Sequence, residues 1–240
     1  MTAEPTYAID PEPRASLDLA GRADRFPVRR IYCVGQNYRA HALEMGANPD
    51  REPPFFFMKP ADAIRGDGSS IAYPPATHDL HHEVELVVAI GRGGARIAPS
   101  DALLHVFGYA VGIDLTRRDL QAQAKSAGRP WETSKAFDGA APIGPILCVP
   151  WQALAPDRAI RLSVRGQLRQ DATLGQMIWP VPEILAQLSN LFELRPGDLV
   201  FTGTPAGVAA LAVGDTIEAQ IDGLPSLSVS IGPPVDGPTP

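Results

Sequence analysis

Apolar positions along this chain fall in short runs separated by Pro, Gly and Asp/Asn turns, with few long stripes at helical spacing. Ile31 to Val34, Phe55 to Lys59, Glu83 to Ile90, Tyr109 to Ile113, Arg161 to Val164, Leu199 to Thr202, Thr216 to Ile221 and Leu224 to Ile231 read as strands. The last two are joined by Asp222-Gly223, a favoured two-residue hairpin turn. Helical signals are fewer. Asn37 is placed to cap a helix through Met45 that Gly46 closes. Ala and Leu suggest a helix from Ser100 to about Val106, and Thr116-x-x-Asp119 has the spacing of a capping box for a helix to about Ala127. Pro182 opens a helix on which Ile184, Leu185, Leu188, Leu191 and Phe192 recur at helical spacing. Many strands and few long helices predict an α+β fold, mostly β.

One strand carries chemistry. Residues two apart on a strand share a face, so Glu83 and Glu85 point one way while His82, Val84, Leu86, Val88 and Ile90 point the other. Two neighbouring carboxylates repel unless a cation neutralises them, and the strand Tyr109 to Ile113 delivers a third, Asp114, at its end. Three hard oxygen donors favour Mg2+ or Mn2+, with water or substrate oxygens completing the shell. The same Glu-x-Glu pattern also suits a solvated outer face. His81 and His82 suggest zinc at first sight, but no second His cluster or spaced Cys pair accompanies them, and they read as supporting or structural.

Bulk properties narrow the class. A chain of 240 residues can bury a substantial core as one large domain, or one domain with a short extension. A net charge of −6 without a Lys/Arg run argues against nucleic acid as a partner. No signal peptide and no apolar run of membrane-span length is visible, which predicts a cytoplasmic protein. Cys33 and Cys148 each lie in an apolar stretch and read as buried free thiols of a reducing compartment.

Further candidates surround the acidic strand. His41 and Glu44 share a helical face, an arrangement that also suits an ordinary surface pair. Arg118 and Gln121 lie on one face of the helix behind Asp114, and Lys135 sits in an apolar, Gly-bounded loop where a lysine usually needs a carboxylate or an anion. Gly203-Thr204-Pro205-Ala206-Gly207 can offer N–H groups and a hydroxyl to a carboxylate, yet lacks the Lys-Ser/Thr of a nucleotide-phosphate loop.

From Ile31 to Ile231 the chain resembles the fumarylacetoacetate hydrolase family, in particular its short bacterial fumarylpyruvate hydrolases. The resemblance is carried by Tyr32-Cys-Val-Gly-Gln-Asn-Tyr38, Phe55-Phe-Phe-Met-Lys-Pro60, His82-Glu-Val-Glu-Leu86, Gly112-Ile-Asp-Leu-Thr-Arg-Arg-Asp119 and Phe201-Thr-Gly-Thr-Pro205. It implies a mixed β-sandwich roll, with residues 28–232 as the catalytic domain; residues 1–27, rich in Pro and charge and outside the resemblance, read as an extended arm or loose hairpin, and 233–240 as a Pro-rich tail. A homodimer is implied as well. So is a set of roles: Glu83, Glu85 and Asp114 as metal ligands, Lys135 beside the metal, His41 and Glu44 as a water-activating dyad on a lid helix, and Arg118, Gln121 and Thr204 as substrate contacts. Gln36 and Arg39 stand where relatives often carry Arg and Ala, and Thr133-Ser134 departs from the usual approach to the lysine. The implied activity is metal-dependent hydrolysis of a C–C bond in a 2,4-dioxo acid, an acylpyruvate. Fumarylpyruvate, a dicarboxylate diketone of gentisate catabolism, leads, and the alternative is an oxaloacetate decarboxylase on the same scaffold. A non-catalytic fold holding a structural calcium is disfavoured, because it would need none of His41, Glu44 and Lys135.

Overall fold

The computed structural model describes residues 6–46, 53–151, 154 and 156–235; residues 1–5 and 236–240, the outer parts of the arm and of the Pro-rich tail, lie outside them. Two five-stranded sheets organise the chain. The first runs Phe56–Lys59, Ile31–Val34, Leu199–Phe201, Val84–Ile90, Val106–Ile113, antiparallel except where Ile31–Val34 meets Leu199–Phe201. All seven residues of Val84–Ile90 are buried, because neighbouring strands flank it and both faces are covered. The second sheet runs Gln167–Thr173, Ala159–Val164, Thr216–Ile221, Leu227–Gly232, Ser70–Ala72. Thr216–Ile221 alternates exposed and buried positions, and its Ile217, Ala219 and Ile221 enter the core between the sheets. The helix Val181–Leu191 adds Ile184, Leu185 and Leu188 to the same core. The α+β, mostly β, expectation holds.

The N-terminal segment belongs to that core too. Ser16–Asp18 pairs antiparallel with Arg25–Pro27, and Leu17, Leu19 and Phe26 are buried with Ile31. Among the described residues no helix is long and apolar enough to cross a membrane.

Local expectations fail where a side chain has a better partner elsewhere. Asn37 does not cap a helix: its Nδ2 donates to Thr202 O at 2.7 Å and Trp179 O at 3.0 Å, and its Oδ1 accepts from Trp179 N at 2.7 Å. The helix, α1, covers only Arg39–Glu44, though Gly46 does turn left-handed behind it at φ +67°. Thr116 is likewise no cap, because it pairs with His81 in a β-ladder; helix α2 begins two residues later and spans Arg118–Ser126. Ser100 to Val106 yields only a single 3-10 turn, Ala102–His105, since Val106 is drawn into pairing with Ile90. In the C-terminal hairpin Ala219 faces Leu227, one residue more than a two-residue turn allows, and Pro225 cannot donate to the ladder. Cys33 is buried, but Cys148 is exposed, as the chain leaves its bridge to Tyr109 after Leu147.

A small ladder places the acidic residues. Leu80–His82 pairs with Thr116–Arg117 and Ala209–Leu211, the chain breaks at Glu83, and it enters the first sheet at Val84. This switch brings Glu83, Glu85, Asp114 and the loop after Phe201 to one end of the sheet.

Candidate active site

Glu83, Glu85 and Asp114 converge, each offering an oxygen such that all three lie within 4.8 Å of one another. Backbone geometry enforces this. Glu85 faces Gly112 across the ladder, and the Asp114 N–H donates to Glu83 O at 2.8 Å, so the acidic strand and the strand carrying Asp114 are locked in register. All three carboxylates are buried.

Three cations meet them. Lys135, brought up by the short helix α3 (Glu132–Lys135), places Nζ 2.9 Å from Glu83 Oε2, 2.8 Å from Asp114 Oδ2 and 2.6 Å from Thr116 Oγ1. The turn before it is anchored by Trp131, which packs edge-on against Phe55 at 5.1 Å and against Phe57 at 5.7 Å. Arg118 donates to Glu83 Oε1 and, at 2.6 Å, to Gln121 Oε1. Lys59 stands 2.8 Å from Asp114 Oδ1 and donates to the carbonyls of Leu115 and Lys135.

Electrostatics separates the two glutamates. Burial pushes Glu83 up, but Lys135 and then Arg118 outweigh it and hold its carboxyl well below the usual range. Burial also pushes Glu85 up, and Asp114 and Glu83 push it further, so it sits well above the carboxylate range. Among the described residues Glu85 forms no ion pair; it accepts the Gly203 N–H at 2.6 Å. Burial lowers Lys135, yet Asp114 and Glu83 raise it more, and the ammonium stays charged. A divalent cation fits this donor set: the oxygens are hard and convergent, each carboxylate retains lone pairs, and Glu85 lacks the cation its neighbours have. The residues that would hold it are the three carboxylates.

The remaining predicted residues cluster beside them. His41, buried on α1, sets Nδ1 3.1 Å from Glu44 Oε2, and Glu44 also accepts the Gly207 N–H at 3.1 Å. His41, Glu83, Arg118, Gln121 and Lys135 line one small cleft. Thr204 is buried one residue after Gly203, its hydroxyl accepting from Gln170 Nε2 at 2.8 Å. The Gly203–Gly207 loop thus spends two N–H groups on the protein's own carboxylates, Glu85 and Glu44, where the sequence suggested a bound one. His81 accepts from Arg118 Nε at 3.5 Å and contacts Asp79 at 2.8 Å, and His82 contacts Gln170, so both support the site from behind.

The sequence alone assigned no role to Lys59, Gln170, Gln36 or Lys125. Lys59 had a visible signal, a lysine ending a four-residue apolar strand. Gln36, at φ +57°, and Lys125, one turn beyond Gln121, also line the cleft. Nothing in the local sequence marks Lys125, and Gln36 stands out only as a departure from the Arg that relatives often carry.

Comparison with known proteins gives the family and its relatives. The family model "Fumarylacetoacetate (FAA) hydrolase C-terminal" matches residues 30–231. A crystal structure of fumarylpyruvate hydrolase from Pseudomonas aeruginosa in complex with Mn2+ and pyruvate superposes with a TM-score of 0.92 at 51% identity, covering 95% of this chain and 100% of that one. The fumarylpyruvate hydrolase of a Ralstonia species is 42% identical over 192 residues, 79% of this chain and 99% of its own. Oxaloacetate tautomerase YcgM of Escherichia coli is 39% identical over 199 residues, 82% of this chain and 90% of its own.

Proposed function

We propose, from the fact that this chain belongs to the fumarylacetoacetate (FAA) hydrolase C-terminal family, that it is a divalent-metal-dependent hydrolase cleaving the C–C bond of an acylpyruvate, fumarylpyruvate first among them. The observation that carries the reading is His41, paired with Glu44, in the lining of the same cleft as Glu83, Arg118 and Lys135. A binding site for an anion would need the cations, and a structural metal site the carboxylates; neither would need a base.

Glu83, Glu85 and Asp114 would hold Mg2+ or Mn2+, which as a Lewis acid would polarise the 2-oxo group and offset enolate charge. Glu44 on Nδ1 of His41 leaves Nε2 as the basic nitrogen and stabilises the imidazolium once it forms. His41 is therefore placed to take a proton from water attacking the 4-carbonyl. Cleavage releases the acyl group as its acid and leaves the enolate of pyruvate, beside which Lys135 supplies a fixed positive charge. Arg118, Gln121 and Thr204 are the substrate contacts, with Arg118 oriented by Glu83 and His81.

A second reading, oxaloacetate as substrate, is favoured by the relatives that carry an oxaloacetate tautomerase name. It makes the same pyruvate-like end of the substrate central but needs no water attack. Offering the Mn2+-loaded protein fumarylpyruvate, other acylpyruvates and oxaloacetate separates the two. Equimolar fumarate and pyruvate, lost on chelation, supports hydrolysis; turnover of oxaloacetate with no acylpyruvate cleaved supports the second reading instead.

A further inference from the structure

Val84 N–H lies between the two glutamates at the point where the chain changes ladders. On that side of its strand, Leu199–Phe201 pairs only as far as Val87, and Thr202 N–H reaches Leu86 O. The next N–H along would be buried without a partner, which is costly. Gln170 supplies the partner. From the second sheet, and fully buried, its Oε1 accepts from Val84 N at 3.0 Å, and its Nε2 donates to Pro205 O at 2.8 Å and Thr204 Oγ1 at 2.8 Å.

These partners fix the amide's orientation, since a backbone N–H can only donate and a prolyl carbonyl can only accept. Two consequences follow for the neighbours. His82, with Nδ1 3.0 Å from the same Oε1, carries its proton on Nδ1. Thr204 Oγ1 accepts from Gln170, so its own proton is directed elsewhere, one residue from the Gly203 N–H that holds Glu85.

We infer that Gln170 is a positioning residue of the site: it fixes the peptide between Glu83 and Glu85, and it commits the Thr204 hydroxyl to donate to a bound carboxylate. The second half rests on the ligand-contact role proposed for Thr204. The test is a double-mutant cycle over Gln170→Met and Thr204→Val, read by calorimetric titration of Mn2+, then of pyruvate with Mn2+ present, with thermal unfolding of each variant. Gln170→Met should weaken Mn2+ binding about ten- to a hundredfold, as loss of a group that orients ligands does, while Thr204→Val leaves it within about twofold. Pyruvate affinity should fall about tenfold or more in each single variant and no further in the double, because both remove the same donated bond. Mn2+ affinity unchanged in Gln170→Met, or pyruvate losses that multiply in the double variant, overturns the inference. Should Gln170→Met fail to fold, Gln170→Asn keeps an amide but withdraws it by one methylene from Val84, Thr204 and Pro205. It should weaken Mn2+ and pyruvate binding alike, and full affinity for both overturns the inference equally. Wild type that binds Mn2+ but not pyruvate would sink the role of Thr204, and the Mn2+ titration alone would then decide on Gln170.

Discussion

Lys59 Nζ lies 2.8 Å from Asp114 Oδ1 with both side chains out of contact with water. An ion pair this deep is costly to form and costlier to halve, because the survivor is left as an uncompensated buried charge. Lys59→Met should therefore lower unfolding stability by about 3–5 kcal/mol, measured in urea on the metal-free protein. A loss below about 1 kcal/mol, the range of an exposed pair, would mean that Lys135 alone suffices for Asp114.

Glu85 and Arg118 should part on substitution. Glu85→Ala removes a proposed metal ligand, so metal affinity and turnover should fall together. Arg118→Ala should keep the metal and raise KM for a carboxylated substrate. Calorimetric titration with Mn2+, followed by steady-state kinetics, distinguishes them. Equal Mn2+ affinity in wild type and Glu85→Ala would show that the carboxylates do not form the metal site.

Gly203 adopts φ +95°, and a Cβ there would come within 2.6 Å of Asn37 Cβ. Both effects oppose any side chain, and the N–H that holds Glu85 would shift with the backbone. Gly203→Ala should destabilise by more than about 1 kcal/mol and weaken Mn2+ binding as well. Thermal unfolding together with a Mn2+ titration checks this, and a variant unchanged in both would remove the loop from the account.

Asp119 gives the pH dependence a defined sign. Burial raises its carboxyl, but hydrogen bonds from Thr77 Oγ1, His78 N and Leu120 N outweigh that and hold it below its ordinary value of 3.8. The folded state thus binds the proton more weakly than the unfolded one. The carboxylate's contribution is present above pH 3.8 and is lost as pH falls through the folded value. Asp119→Asn should be less stable than wild type at pH 7, with the gap closing under acid. A gap independent of pH would mean that the shape of the side chain, not its charge, secures the start of α2.

The sequence disclosed the pieces of the site more readily than their electrostatic connections. The period-two pattern placed Glu83 and Glu85 on one face, and helical spacing joined His41 to Glu44, because both relations are local. Lys59 and Gln170 act on residues 55 and 86 positions away respectively, Asp114 and Val84, and no periodicity encodes such a contact. The capping residues show the converse error. Asn37 and Thr116 have the right chemistry and spacing for caps, yet tertiary partners claim them: Trp179 and Thr202 for one, the His81 ladder and Lys135 for the other. The fold class survived these errors because it depends on the count of strands, which burial patterns report directly.

Paired activity and binding measurements on His41→Ala bear most directly on hydrolysis. No proposed metal ligand is altered, so the variant should bind oxalate, a mimic of the pyruvate enolate, with nearly wild-type affinity in the presence of Mn2+. Loss of a general base typically costs about a hundredfold to ten-thousandfold, and cleavage of fumarylpyruvate, followed by loss of diketone absorbance, should slow by that much. Cleavage at the wild-type rate with oxalate still bound would contradict the account, because the His41–Glu44 pair would then have no part in activating water.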